Sequence, residues 1–297
     1  MTLNLKEILE RHVSESLEAA KQYKRPTLPD KAFSPVSLNS WLYFALAAKI
    51  DYVSAEMVGN INTEALLRFE TPELSKDAMQ SLFAINENLD DQHMLRWDCC
   101  APSGVKYAMA TGQGMESVPL EDKHLHPGDP RAFDILFEYP IEEVAIFKRP
   151  IVKPLLSNGY PVEFRVFVIN GEIKAASNYY PQMTLPYTHE NLDYAKQAIE
   201  SAQKLLTAIN QSGVQLFHAG EIADTLNLTM DFMVVEDGSV QFLEGGPGFG
   251  FGAHPCCFHN TTTKAVEPLN GLLLGEGERS IDIKQWLSDS HVRSLKV

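Results

Sequence analysis

Two apolar segments, each broken by a tight-turn dipeptide, constrain this chain more than any other feature: Asn170-Gly171 and Asp237-Gly238. Both dipeptides suit turns whose central residues need positive φ, so each predicts an antiparallel hairpin. Around the second turn a two-residue loop pairs residue 236 with 239, and counting outward sets Asp231 opposite Glu244. Met233, Val235, Val240 and Phe242 are then expected on the same face. Cross-strand neighbours lie about 5 Å apart. Two carboxylates at the end of an apolar ribbon therefore repel and lose hydration. A divalent cation between them would offset this, Mg²⁺ being usual beside phosphates. An arginine on one acid, or a slipped register that solvates the pair, would also do so.

Around Asn170-Gly171, alternation puts Phe164, Val166, Val168, Ile173 and Ala175 on one face. Glu163, Arg165, Phe167, Lys174, Ala176 and Asn178 fall on the other, so one face is core and one is charged. Arg165 and Lys174 come within reach of each other there, and either Glu163 or a bound triphosphate would balance them. Upstream, Arg96 and Lys106 flank a Pro102-Ser103-Gly104 turn, whose backbone N–H groups could face phosphate oxygens. The pattern of a P-loop is absent. Residues 144–154 form an apolar strand carrying Lys148, Arg149 and Lys153; its edge could serve a flat base, although Pro150 removes one donor.

Around these hairpins, apolar spacing predicts helices over 3–22, 38–57, 75–86, 130–139, 189–210, 265–273 and 281–288. Further strands are expected over 94–98, 105–111 and 144–152. Hairpins separated by helices without a βαβ rhythm give an α+β class. The chain divides into a mainly helical region 1–92, a small lobe 93–143 and a large lobe 144–297. A 297-residue chain that is 44% hydrophobic can bury a sizeable core. Its net charge of −14 disfavours nucleic acid as a partner. No apolar run approaches a membrane span and no signal peptide is expected, so the reading is soluble and cytoplasmic. The adjacent pairs Cys99-Cys100 and Cys256-Cys257 suit a reducing compartment. His254, Cys256, Cys257 and His259 could be half of a zinc site, but the usual Cys spacing is absent, and packed thiols are the plainer account.

In order, these pieces resemble the ATP-grasp superfamily: Arg96, the 102–104 turn, the strand through Phe147-Lys148-Arg149, the hairpin opening Glu163-Phe-Arg165-Val, and Asp231 with Glu244. The likeness covers roughly residues 94–255. It is greatest to a divergent branch, found in phage and bacteria, that uses arginine where other members use lysine. The resemblance implies two α+β lobes clamping ATP and Mg²⁺ in the cytoplasm of a bacterium or an infected host. It implies Arg96 and Lys106 on the α- and β-phosphates, and Phe147, Lys148, Arg149 and Ile151 in an adenine hinge. Asp231 and Glu244 would hold the metal, and Arg165 would steady the γ-phosphate or the acyl-phosphate intermediate. Lys174 and Asn178, with Tyr179 and Tyr180, are candidates on the acceptor side. The implied reaction joins a small-molecule or peptide carboxylate to an amine through an acyl phosphate. A phosphotransferase, or a catalytically weak nucleotide-binding protein, is the alternative. Family members usually carry Asn two residues after the metal Glu; this chain has Gly246, so one ligand would come from Asn260 or water. Hydrolase signatures such as Gly-x-Ser-x-Gly are absent.

Overall fold

The structure, a computed structural model, describes residues 27–67, 72–112, 114–126, 129–138 and 141–294. The helix expected over 3–22 lies outside these residues. Ser37 caps helix α1 (Leu38–Ala48) by accepting the Ser40 N–H, and Lys49 closes it in the left-handed conformation. The chain then enters strand β1 (Glu56–Asn62), so the helix expected to reach residue 57 stops early. Leu38, Trp41, Phe44 and Ala45 bury one stripe of α1, whereas Tyr43 and Leu46 stay exposed. Burial on a single face replaces the several-sided burial suggested by its low polarity.

A small sheet has the order β1-β3-β2, with β3 (Glu143–Pro150) between β1 and β2 (His93–Trp97). Helix α2 (Pro72–Glu87) brings Leu82 to a core with Ile61, Leu95, Trp97, Val144 and Ile146. The sheet cuts across the division expected at 92/93 and 143/144: residues 56–62 belong to the small lobe, and 143–150 form its centre. Residues 105–111 are not a strand. Residues 105–110 lie in helix α3 (Ser103–Ala110), which buries Val105 and Ala108 three residues apart and is capped by Thr111. Asp129, just ahead of helix α4 (Pro130–Glu138), accepts from the Ser103 N–H (2.8 Å) and hydroxyl (2.7 Å) and fixes the start of α3.

The large sheet has the order β7-β6-β4-β5-β8, from β4 (Glu163–Ile169), β5 (Glu172–Asn178), β6 (Leu228–Val234), β7 (Val240–Pro247) and β8 (Gly271–Leu273). Its pairs are antiparallel except β8 beside β5. Helix α5 (His189–Ser212), capped by Thr188 and closed by Gly213, covers one face. Its Ala198, Ala202, Leu205 and Ile209 pack on Phe164, Val166, Met230, Phe232 and Phe242. Helix α1 completes that core, with Trp41 edge-on to Phe33 and Phe44 and tilted against Phe242. The helix expected over 265–273 is instead two strands, Ala265–Val266 and Gly271–Leu273, because Pro268 and the positive φ of Gly271 interrupt it. The final helix, α6, spans Ile283–Ser294. Mixed helices and sheets in two lobes make the described chain α+β, the class the hairpins predict.

Candidate active site

Each hairpin carries one extra residue, and the extra residue decides which side chains reach the cleft. In β6–β7, Val234 pairs with Val240 and Phe232 with Phe242, but Asp231 pairs with Glu244. Leu243 is thus a bulge. Without it, Glu244 would follow Val240 and Phe242 into the core; with it, Glu244 turns to the face of Asp231. Asp231 and Glu244 stand opposite as expected, but Val240 and Phe242 do not share their face. In β4–β5 the extra residue is Lys174, between the pairs Phe167–Ala175 and Val168–Ile173. Arg165 therefore faces Ser177 rather than approaching Lys174, and Ala176 joins the large core while Ala175 leaves it.

The two acids are each held by cations. Arg165 Nε and Nη2 donate to the two oxygens of Asp231 at 2.8 and 2.7 Å, a bidentate pair. Arg96 Nη1 meets one Glu244 oxygen at 2.7 Å and Lys106 Nζ the other at 3.1 Å. Burial alone would raise the Glu244 carboxyl; Lys106 and Arg96 outweigh it and hold the group well below the usual carboxylate range. Burial opposes the Lys106 charge in turn, and Glu244 reverses the balance so that it rises above the ordinary lysine value. The Tyr179 ring lies near both cations, 4.7 Å from the Arg165 guanidinium and 5.7 Å from the Lys106 ammonium.

Glu244, Arg96 and Lys106 line a half-open cleft together with Arg149, Glu163 and Tyr180. Its apolar walls come from Val53, Met94, Val105, Met109, Met115, Ile151, Met233 and Leu243. Arg149 is buried, and its Nη2 donates to the carbonyls of Val53 (3.0 Å) and the bulged Leu243 (2.6 Å). Among the described residues its Nε has no hydrogen-bond partner and it forms no ion pair with a carboxylate. Burial, with Arg96 nearby, pulls its guanidinium down to about 9, still charged at neutral pH. A buried cation left this way calls for an anion. Glu163 carries the opposite shift. Burial and then Asp231 push its carboxyl up to about 8, and the Tyr180 hydroxyl donates to it at 3.1 Å.

Other expected residues lie elsewhere. Phe147 is buried in the small sheet, opposite Arg96 and Met57, and Lys148 pairs with Asp90 at 2.8 Å. Because β3 is central, its edges are taken; its last two residues, Arg149 and Pro150, and the two that follow, Ile151 and Val152, line the cleft, and the Ile151 N–H is bonded to Gln92. Lys174 pairs with Glu172 at the surface. Asn178 is buried and donates to the carbonyls of Tyr180 and Met183, so it shapes the loop after β5. The Ser103 N–H is bound by Asp129, so the 102–104 turn is a helix start and not an anion nest.

His254 Nδ1 accepts the Cys256 N–H, and all four cysteines are buried and unpaired. Among the described residues no group of three or more His, Cys, Asp or Glu side chains is gathered for a metal. Asp231 and Glu244 still suit Mg²⁺, which is commonly bound by one or two carboxylates plus substrate phosphates. Gly246 adds no ligand; its neighbour across the ladder is Thr229, whose hydroxyl donates to Pro247. Sequence reasoning missed the methionine walls and the role of Leu243, since neither has a signature in the chain.

No family model matches this chain, and neither does any curated protein. Among solved structures it is similar to C-terminally truncated Cdc123 from Schizosaccharomyces pombe, at 14% identity over 82% of this chain and 96% of that one, with a TM-score of 0.46. It is also similar to N5-carboxyaminoimidazole synthase from Aspergillus clavatus in complex with ADP, at 12% identity over 77% and 48%, with a TM-score of 0.35. D-Alanine-D-alanine ligase from Helicobacter pylori gives 12% identity over 72% and 51%, with a TM-score of 0.35. The chain matches about half the length of the latter two. With TM-scores below 0.5, these likenesses transfer no activity to it. Among the described residues no helix is long and apolar enough to cross a membrane.

Proposed function

We propose that the cleft binds ATP with Mg²⁺ and that the protein is an ATP-grasp ligase activating a carboxylate for attack by an amine. The observation that carries this is Arg149, a buried arginine without an acid partner among the described residues, in a cleft that also holds Arg96 and Lys106. Three cations beside an apolar wall of methionines suit a triphosphate at one end and a flat base at the other. The segment after β3 would flank the base. Arg96, Lys106 and Arg149 would align the phosphates, and Arg165 would face the transferred group. Asp231 and Glu244 would hold Mg²⁺, which supplies charge neutralisation along the phosphates. In the reaction a carboxylate oxygen attacks the γ-phosphorus and ADP leaves; the amine nitrogen then attacks the acyl carbon and phosphate leaves. Positioned charges suffice for this chemistry, in keeping with a site that shows no activated nucleophile.

Gly246 favours a second reading, a nucleotide-binding protein with weak or no turnover, because the chain offers no amide ligand at that position. Thermal unfolding with ATP, GTP and ADP, each with and without Mg²⁺, tests the binding. A raised midpoint with Mg²⁺ and ATP is expected, and failure of every nucleotide to move it would overturn the proposal. ADP release measured with and without an amine then separates ligase, phosphotransferase and silent binder.

A further inference from the structure

Strand β1 is an outer strand of the small sheet and pairs on one side only, with β3. The Thr63 N–H donates to the Glu142 carbonyl, and the Ala145 carbonyl accepts the Asp98 N–H, away from β1. Bonded pairs alternate in an antiparallel ladder, so Ile61 exchanges its bonds with Val144, while Asn60 and Asn62 turn their N–H and C=O groups outward. Among the described residues no other backbone group meets residues 56–62 on that outer side. An apolar groove runs beside the same edge. Gly59 lets helix α2 come close, since a Cβ there would lie 2.8 Å from Ile85 Cδ1. Val58, which the ladder leaves unpaired at a bulge, lines the groove with Ala84, Ile85, Leu89 and Leu95, and the exposed Glu56 joins the lining. Met57 on the strand and Phe83 on α2 are exposed as well.

Outward donors and acceptors on alternate residues, about 7 Å apart, match the backbone of an extended polypeptide. A strand added there lays every second side chain along the groove. Charge then selects the polypeptide. Glu56, Glu142 and Glu143 are exposed around this edge, and Lys148, which also lines the groove, is taken by Asp90 at 2.8 Å. A second copy of the chain fits poorly, because each copy carries a net charge of −14 and the bulge at Val58 breaks the flat run that edge-to-edge self-pairing needs. We propose that the outer edge of β1 and the groove beside α2 dock a short extended segment of a partner protein. Its apolar residues enter the groove and its lysines or arginines face Glu56, Glu142 and Glu143. This surface shares no lining residue with the nucleotide cleft, so it does not depend on what that cleft binds.

The full chain is titrated with a fluorescent peptide of four Lys-Val repeats, with the same peptide N-methylated at alternate residues, and with four Glu-Val repeats. Hydrogen exchange of residues 56–62 is followed in parallel. The Lys-Val peptide is expected to bind at least about tenfold more tightly than either control and to protect the Asn60 and Asn62 amides, with little change at Ile61, whose amide is already bonded to β3. Asn60→Pro removes one outward donor at an edge position that tolerates proline, and should weaken binding at least about tenfold. Should that variant not fold, Glu56→Lys, a change at an exposed side chain, is expected to weaken it in the same direction. Equal binding of the N-methylated peptide would reduce the contact to charge attraction and overturn the inference. So would failure of the Lys-Val peptide to bind, or unchanged affinity in a folded variant. A dimer in sedimentation whose Asn60 and Asn62 amides are protected without peptide would overturn it in favour of a second copy.

Discussion

In the β6–β7 ribbon the extra residue is Leu243; in β4–β5 it is Lys174. The first carries Glu244 from the core face to the cleft, where Arg96 and Lys106 receive it. The second leaves a lysine at the surface, where it pairs with Glu172 and is more than a third exposed. Both ribbons have a tight turn and alternating apolar residues, and strand residues of both take part in ion pairs: Arg165 of β4 reaches across to Asp231 of β6, and Lys174 meets Glu172 within β5. Arg165–Asp231 is buried and bidentate, whereas Lys174–Glu172 is solvated and single. The comparison shows that a bulge decides which charges of a ribbon become a site, and that the surrounding water then decides what each pair contributes.

Removing one member of the buried pair breaks the comparison most strongly. Arg165→Ala leaves the Asp231 carboxylate buried without a cation, and a loss of about 3–5 kcal/mol is expected. Urea unfolding measures it. The double change Arg165→Met with Asp231→Leu should recover much of the loss, because an apolar pair carries no stranded charge. A single variant as stable as the parent would show that water reaches Asp231 and that the two ribbons do not differ in kind.

Glu163 sharpens the same contrast through pH. Its folded carboxyl stands near 8, raised by burial and by Asp231, with Glu244 acting in the same sense and Lys106 and Arg165 opposing; the Tyr180 hydroxyl is its hydrogen-bond partner. A carboxyl raised on folding binds its proton more tightly in the native state. Its contribution is therefore full below the unfolded value near 4.5 and is lost as pH rises through about 8. Glu163→Gln keeps an acceptor for Tyr180 and removes the titration. At pH 9 the variant should be more stable than the parent, by on the order of a few kcal/mol, and the gap should close toward pH 5. Parallel stability–pH curves would contradict this.

The residue after Glu244 adds a smaller effect. A Cβ built on Gly245 would lie 2.1 Å from the Trp41 ring, which is fully buried and donates its indole N–H to Pro35. Gly245→Ala should cost about 1–3 kcal/mol by overpacking. Trp41→Phe in the same chain should relieve part of the clash, as judged by denaturant midpoints.

Turn chemistry made the two hairpins legible in the sequence. Asn170-Gly171 and Asp237-Gly238 located the turns, and the positive φ of Asn170, Gly171 and Gly238 accounts for three of those four residues. The opposition of Asp231 and Glu244 was also legible, although by a count that assumed no bulge and a shorter loop. In the structure the Val235 N–H bonds to the Ser239 carbonyl, so the loop is longer, and Leu243 makes up the difference. Faces were not legible, because alternation carries no mark where a ladder slips by one residue. That is why simple alternation assigns Lys174, Ala175 and Ala176 to the wrong sides. Segment 105–111 misled for another reason: Val105, Tyr107 and Met109 alternate like a strand, but the start of the helix is fixed by Asp129, distant in sequence. Arg149 could be named as a cation in advance. Its isolation could not, since that depends on which acids the fold brings near and on the Leu243 carbonyl left over by the bulge.

The smallest expected effect lies at the other bulge. Lys174 reaches Glu172 at the surface, and Lys284 approaches the same carboxylate at 3.6 Å, so Glu172 keeps a cation when Lys174 is removed. Exposed pairs contribute about 0–1 kcal/mol and weaken with salt. Lys174→Ala is therefore expected to change stability by less than about 1 kcal/mol, with any difference vanishing in molar salt. An acceptor-side role for this lysine makes a different forecast, since truncation would then abolish product formation while leaving nucleotide binding intact. Measuring ADP release and the nucleotide-induced thermal shift on Lys174→Ala separates the two. The surface position predicts that both match the parent, and loss of turnover alone would mean that the tip of this ribbon bends toward the cleft during the reaction.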